Sequence, residues 1–342
     1  MRDERAMKAA RARLDAMAKP LGSLGLMEDM IVRLAGASGT PDVEPLRACA
    51  LVFCADNGVV AEGVSQVGSE VTAKVALKMC EGRGNINVLA RAAGADVMVV
   101  DVGMCEDVVH PNLIDRRIAR GTANIAVEPA MSRKQAQAAI AAGIECVGML
   151  RAKGYNTIAT GEMGIGNTTT SSALAAVLLD MPPEAVTGRG AGLSDDGLKR
   201  KLAAIECAIA VNEPDAADPL DMLAKLGGFD IAAMCGAFIG GAEHGVAVLI
   251  DGLISSVAAL LAVKLRPDAA DHMFASHLGR ERACVALMDA LRLRAPIAAD
   301  LALGEGSGAM MLVPLANMAI ELYRSGAGMD ALNMAPYRRF DG

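Results

Sequence analysis

Three short segments combine glycine with side chains able to do chemistry: GEMGIGNTTT (Gly161 to Thr170), TGRGAGLS (Thr187 to Ser194) and LGEGSGAM (Leu303 to Met310). Glycine lets backbone N–H groups approach an anion closely, and a helix opening near Asn167 would add the positive end of its dipole. A phosphate is the guest that suits such loops. Neither a Walker lysine after the first loop nor a GxGxxG run with a ribose-binding acid is present.

Two glutamates and a lysine belong to the same chemistry. Glu305 stands alone between glycines. Burial of its loop would disfavour the charge and suit the carboxyl to general-base work; an exposed turn glutamate is the alternative. Glu162 lies beside the first glycine loop, where a carboxylate favours positive charge developing on a sugar. Lys201 lies about two helical turns beyond Gly192, but Lys199 and Arg200 flank it, and spacing alone favours a solvated helix face. His110, His244, His272 and His277 show no metal-ligand spacing, and no GxSxG elbow occurs, so metal-hydrolase and serine-hydrolase chemistry lack a foothold.

The elements around these groups follow from short apolar runs, each ending in a polar residue: ACALVFCAD at Asp56, ADVMVVD at Asp101, YNTIATGE at Glu162, GVAVLID at Asp251 and HMFASH at His277. Continuous apolar runs alternating with Ala-rich helical stretches predict parallel strands covered on both faces, a Rossmann-like, doubly wound α/β sheet. In such sheets ligands bind at the carboxyl ends of the strands. The expected division is a large α/β domain over 45–311 and a small helical domain formed from both chain ends, 1–44 with 312–342. VNEPDAADPLDML, with three acids and two prolines before its last turn, reads as a loop.

Composition narrows the partners. The chain has 342 residues, a net charge of -7 and 2% aromatic residues, which disfavours a nucleic-acid surface or base-stacking platforms. The eight cysteines form no CxxC pair and read as reduced core residues of a cytoplasmic protein. The N-terminus lacks an apolar signal core, and the apolar passage from Ile231 to Val263 is broken by Glu243, His244 and Asp251, so it reads as helix, strand, helix and no membrane is expected.

Eight motifs in order resemble a known family. KPLGSLGLME (Lys19 to Glu28), FCADNGVVAEGVSQVGSEVT (Phe53 to Thr72), GRGNINVLAR (Gly82 to Arg91), GEMGIGNTTTSSAL, GRGAGLS, GGFDIAAMCGAFIGGA (Gly227 to Ala242), DGLISSVAAL and LGEGSGAMM are similar to those of the nicotinate-nucleotide:dimethylbenzimidazole phosphoribosyltransferases. The resemblance implies a Rossmann-like sheet with a small helical domain, a homodimer, and transfer of ribose 5-phosphate from nicotinate mononucleotide to an aromatic base, without cofactor or metal. It implies that Glu305 acts as general base and that Glu162 lies at the sugar. Gly164, Gly166 and Asn167 would help to hold the phosphate, Gly190 and Lys201 would contact the nucleotide, and Ser65 would border the base pocket. Asp56-Asn57-Gly58-Val59 replaces the DHGV of many members, and QVGSEVTAK follows Ser65, departures that leave the accepted base open: a benzimidazole, a purine or a phenol. A non-catalytic nucleotide-binding subunit of a heteromeric transferase and an NAD-dependent dehydrogenase are the rival classes; retention of both glutamates weighs against the first and the missing fingerprint against the second.

Overall fold

The computed structural model describes residues 2–338. Helices α1 (Glu4–Ala16) and α2 (Leu26–Ser38) lead into β1 (Ala48–Ala55). Then come α3 (Glu70–Cys80), α4 (Asn85–Ala93), β2 (Asp96–Gly103), the short strand β3 (Leu113–Asp115), α5 (Arg133–Ala152) and β4 (Thr157–Met163). The second half runs through α6 (Asn167–Leu179), a single turn α7 (Pro183–Val186), α8 (Asp195–Asn212), α9 (Pro219–Leu226), α10 (Phe229–His244), β5 (Ala247–Ile250), α11 (Leu253–Leu265), β6 (Met273–Ala275), α12 (Cys284–Leu291) and α13 (Ser307–Ser325).

All five strand pairings are parallel, in the order β3-β2-β1-β4-β5-β6. The chain starts in the middle and winds outward in both directions, so the connections from β1 and β4 leave on opposite sides. In sheets wound this way the ligand site lies at the carboxyl ends of the strands. The apolar runs form the expected strands, and the passage from Ile231 to Val263 resolves into α10, β5 and α11. No helix among the described residues is long and apolar enough to cross a membrane.

Every residue of β1 is buried, because the two-residue period of a strand sends alternate side chains into two different cores. Cys49, Leu51, Phe53 and Ala55 join the core beneath α5, α10 and α11. Ala48, Ala50, Val52 and Cys54 join the core on the other face, which also takes Leu14 of α1, Ile31 of α2 and Ile320 of α13. Helices from both chain ends therefore pack on the same side of the sheet. Tyr323 Oη donates to Pro41 O at 2.6 Å, and Asn317 pairs with both backbone groups of Leu46.

With no Trp and few aromatics, this core is built by close backbone approach. Cβ atoms at Gly143 of α5 and Gly236 of α10 would collide with the carbonyls of Ala233 and Ile140, so these two helices touch main chain to main chain. The other apolar volume comes from Ala, Val, Ile, Leu and Met, as the composition requires.

Two local expectations give way. The segment read as a loop, Val211 to Leu223, contains the start of α9: Asp218 caps it, accepting from Leu220 N and Asp221 N, and Pro219 sits in its first turn, where a missing N–H costs nothing. Of the eight cysteines, all free, Cys105 and Cys207 are exposed and only the other six are buried.

Candidate functional site

The strand ends deliver five polar residues to one rim of the sheet, and the structure divides them. Glu162, Asp251 and His277 line a cavity of about 270 Å³. Asp56 and Asp101 turn instead toward the backbone at the end of β2. Asp56 Oδ2 accepts from Cys105 N at 2.8 Å; Asp101 accepts from Gly103 N and Met104 N and pairs with Arg117 at 2.8 Å. Both carboxylates thereby hold the turn after β2.

The first glycine loop joins β4 to α6. Gly164 has no room for a Cβ, which would lie 2.5 Å from Ala55 O and 2.7 Å from Asp230 Oδ2. Gly166, at φ +94°, caps α6, and Asn167 is the first residue of that helix. The Asn167 amide nitrogen donates to Glu162 Oε2 and, at 2.9 Å, to Asp230 Oδ2. The side chain of Asn167 is thus engaged by two carboxylates, and the open backbone end of α6 is what the loop offers to an anion. Burial first, then the neighbouring charge of Asp230, pushes the Glu162 carboxyl up to about 8, while the Asn167 hydrogen bond pulls the other way and Asp251 and Glu305 add to the rise. Burial likewise raises Asp230 to about 6, against its hydrogen bond from Asn167.

Lys201 departs from the solvated face that its flanks suggested. Lys199 and Arg200 are exposed, but Lys201 is fully buried, because the third residue of the triplet falls on the inner side of α8. Its Nζ donates to Thr168 Oγ1 at 2.9 Å, in the first turn of α6. Gly190 presses against the same pair: a Cβ there would lie 2.8 Å from Thr168 Oγ1 and 3.5 Å from Nζ. Thr168 and Gly190 line the cavity, so the ammonium sits one atom behind its wall. Burial lowers its pKa to about 8, partly offset by Glu281.

The third segment places Glu305. Gly304, Glu305 and Gly306 take three consecutive left-handed conformations, at φ +80°, +61° and +84°, the middle one a strained choice for a residue with a Cβ. Gly161 of β4 makes this possible, since a Cβ on it would lie 2.5 Å from Glu305 O. Glu305 is 7% exposed, so it is no surface turn residue. Its Oε2 accepts from Ile86 N at 3.1 Å and its Oε1 from Asn85 Nδ2 at 3.2 Å, which caps the N-terminus of α4. Asp251 makes the equivalent contact one helix away, accepting from Ala309 N of α13 at 2.9 Å, and lies 3.9 Å from His277 Nδ1. Burial raises the Asp251 carboxyl, with His277 opposing.

One cavity therefore gathers Glu162, Gly164, Asn167, Gly190 and Glu305, with Lys201 behind its wall. Gly166 shapes the loop from outside, and Ser65 also lies off the lining: its hydroxyl accepts from Val67 N at 3.2 Å, while the adjacent Gln66 Nε2 donates to Gly192 O and ties this turn to the Gly190 segment. The sequence places Asp251 at a strand end but assigns no part in the site to Asp230, Thr168 or Asn85. Asp230 stands one residue beyond the Gly227-Gly228 pair at a helix start and Asn85 follows Gly84 in GRGNIN, the one local signal for either. Among the described residues no group of three or more His, Cys, Asp or Glu is set to hold a metal ion.

Chemically, the site offers an anion-binding helix terminus backed by a buried lysine, and the carboxyl groups of Glu162, Asp251, Glu281 and Glu305, which when ionised favour positive charge on a ligand. The family description Phosphoribosyltransferase matches residues 1–332. The nicotinate-nucleotide-dimethylbenzimidazole phosphoribosyltransferase of Acetivibrio thermocellus is 45% identical over 321 residues, 93% of this chain and 91% of that protein. That of Desulforudis audaxviator is 47% identical over 310 residues, 90% and 88% of the two chains. The solved CobT of Thermus thermophilus superposes with a TM-score of 0.92 at 40% identity, covering 97% of this chain and 99% of that one.

Proposed function

The chain belongs to the phosphoribosyltransferase family so described, and from that premise we propose that it moves ribose 5-phosphate from nicotinate mononucleotide to a lower-ligand base such as 5,6-dimethylbenzimidazole, releasing nicotinate, in assembly of the cobalamin nucleotide loop. The observation that carries this reading is the convergence of Glu162 and Glu305 on one cavity beside a phosphate-type loop, at the carboxyl ends of β4, β5 and β6.

In this reading the backbone end of α6, with Gly164 and Gly190 beside it, receives the 5′-phosphate, and Lys201 supplies positive charge through the Thr168 contact. The C1′–N bond of the pyridinium glycoside breaks, its electron pair returning to the ring nitrogen, and neutral-ring nicotinate departs. Positive charge gathers on the ribose, where the Glu162 carboxylate opposes it. A nitrogen of the incoming base forms the new bond to C1′, giving an α-ribotide. Its N–H proton passes to Glu305, held in place by Asn85 and the N–H of Ile86. Ser65, off the cavity lining on the turn tied to Gly192, is assigned to the base on the family resemblance. The departure at Asp56-Asn57-Gly58 leaves another benzimidazole, a purine or a phenol as alternative acceptors.

We read the protein further as a cytoplasmic homodimer, with 45–311 as its α/β domain and 1–44 with 312–342 as a helical one; residue 1 and residues 339–342 lie outside the described residues. The test of the reaction is release of nicotinate from the mononucleotide by purified protein with 5,6-dimethylbenzimidazole, benzimidazole, adenine or phenol. Base-dependent release is the expected result, and binding of the nucleotide without release under any base would favour a binding subunit.

A further inference from the structure

Among the Asp, Glu, Lys and Arg side chains that line the cavity, all but one are acidic. Glu162, Asp251, Glu281 and Glu305 contribute carboxyl groups to its lining, and Arg280 is the one lysine or arginine among the described residues that line it. Arg280 is exposed at the cavity mouth, and its guanidinium makes no hydrogen bond or ion pair with the described residues. The neighbouring Arg282, by contrast, is occupied, donating to Glu184 O at 2.9 Å.

The backbone under Arg280 is held from both sides. Its N–H donates to Leu301 O at 3.1 Å, and Leu278 N donates to Ile297 O at 2.9 Å. Leu301 begins the run that leads through Leu303 to Gly304 and Glu305, all on the cavity wall. The guanidinium is therefore free to turn while its root is fixed on the loop that carries the proposed base. An unpaired arginine on a pinned loop at the mouth of an acidic cavity suits a second anionic group of the ligand, distinct from the one received at α6.

The donor nucleotide in the reaction proposed above has two anionic groups, the 5′-phosphate and the ring carboxylate. The α6 terminus and Lys201 account for the phosphate. We infer that Arg280 binds the carboxylate of the nicotinate ring, so that the site selects the acid nucleotide over its amide counterpart. The inference rests on the transferase reading. The planar guanidinium can meet a carboxylate with two parallel N–H bonds, whereas a carboxamide offers one acceptor and presents its own donors to the fork. The surrounding carboxylates would repel the nicotinate carboxylate without this cation.

The test compares nicotinate mononucleotide, nicotinamide mononucleotide and nicotinate riboside as donors for the wild type, Arg280→Gln and Arg280→Lys. Removing a charge-assisted pair should raise KM for nicotinate mononucleotide by roughly 10- to 100-fold, with kcat little changed. The same loss is expected for nicotinate riboside, which keeps the carboxylate and lacks the phosphate, while nicotinamide mononucleotide should be nearly indifferent to the change. Arg280→Lys should restore part of the preference, as a point charge without the fork. Equal losses for the acid and amide mononucleotides, or an unchanged preference in Arg280→Gln, would overturn the inference and in the first case move Arg280 to the phosphate. Absence of turnover in the wild type would sink the reaction itself; equilibrium binding of the two mononucleotides to wild type and Arg280→Gln would still decide the role of Arg280.

Discussion

Glu162 and Asp230 share one donor, the amide nitrogen of Asn167, which bonds Oε2 of the first and, at 2.9 Å, Oδ2 of the second. Burial first, and for Glu162 the charge of Asp230 next, resists ionisation of this pair, while the shared Asn167 amide favours it. The groups facing Glu162 are Asp230 from α10, Asp251 after β5 and Glu305 before α13, all of which raise it. If the ionised Glu162 is the working form, kcat/KM for the nucleotide should fall as pH drops below about 8. Asp230→Asn removes the largest neighbouring charge and should move this acid limb to lower pH, a shift that a purely structural role for Asp230 would not produce. A pH profile of kcat/KM in both proteins checks it.

Lys201 sets the opposite limb. Its pKa is lowered to about 8 by burial, so the ammonium is lost as pH rises through that value. Affinity for the phosphate should fall with it. Lys201→Met should raise KM for nicotinate mononucleotide roughly 10- to 100-fold and remove the alkaline limb. Nicotinate riboside, without the phosphate, should be affected far less, and steady-state kinetics with both donors would show it.

Gly161→Ala tests the packing that presents Glu305. The new Cβ would sit 2.5 Å from Glu305 O, a backbone atom that cannot swing aside. Overpacking of this kind costs about 1–3 kcal/mol, and the displaced loop should lower turnover more than it lowers nucleotide affinity. Thermal unfolding and nucleotide titration measure the two effects separately.

Stability should also depend on Glu162. Its folded pKa lies above the unfolded value, so the folded protein holds a proton that the unfolded chain releases between about 4.5 and 8. The stability tied to that proton is present at low pH and is lost as pH rises through the folded value. Glu162→Gln should therefore flatten the fall of Tm with pH between about 5 and 8. Calorimetry at several pH values on both proteins compares the slopes.

Much of this was legible in the sequence, because the strands are continuous apolar runs with a polar residue at each end and parallel sheets bind ligands there. Periodicity does not reveal which way a strand-end side chain turns. Asp56 and Asp101 turn away from the cavity because backbone N–H groups of the turn after β2 claim them, for Asp56 across forty-nine residues of sequence. Lys201 looked solvated because its flanks are; the register of α8 against α6 buries it. Glu305 meets Asn85 and Ile86 across more than two hundred residues, and no local pattern encodes that pairing. Asp230 is invisible for the same reason, its partner Asn167 being on another helix.

The central claim is that Glu305 takes the proton of the incoming base. The direct measurement is nicotinate release from nicotinate mononucleotide with 5,6-dimethylbenzimidazole by wild type and Glu305→Gln, alongside calorimetric binding of the nucleotide to each. The glutamine keeps an acceptor oxygen toward Ile86 N but is not basic, so turnover should fall by about 10²- to 10⁴-fold while nucleotide binding is kept. Undiminished turnover in Glu305→Gln, in a protein that binds the nucleotide as the wild type does, would contradict the account.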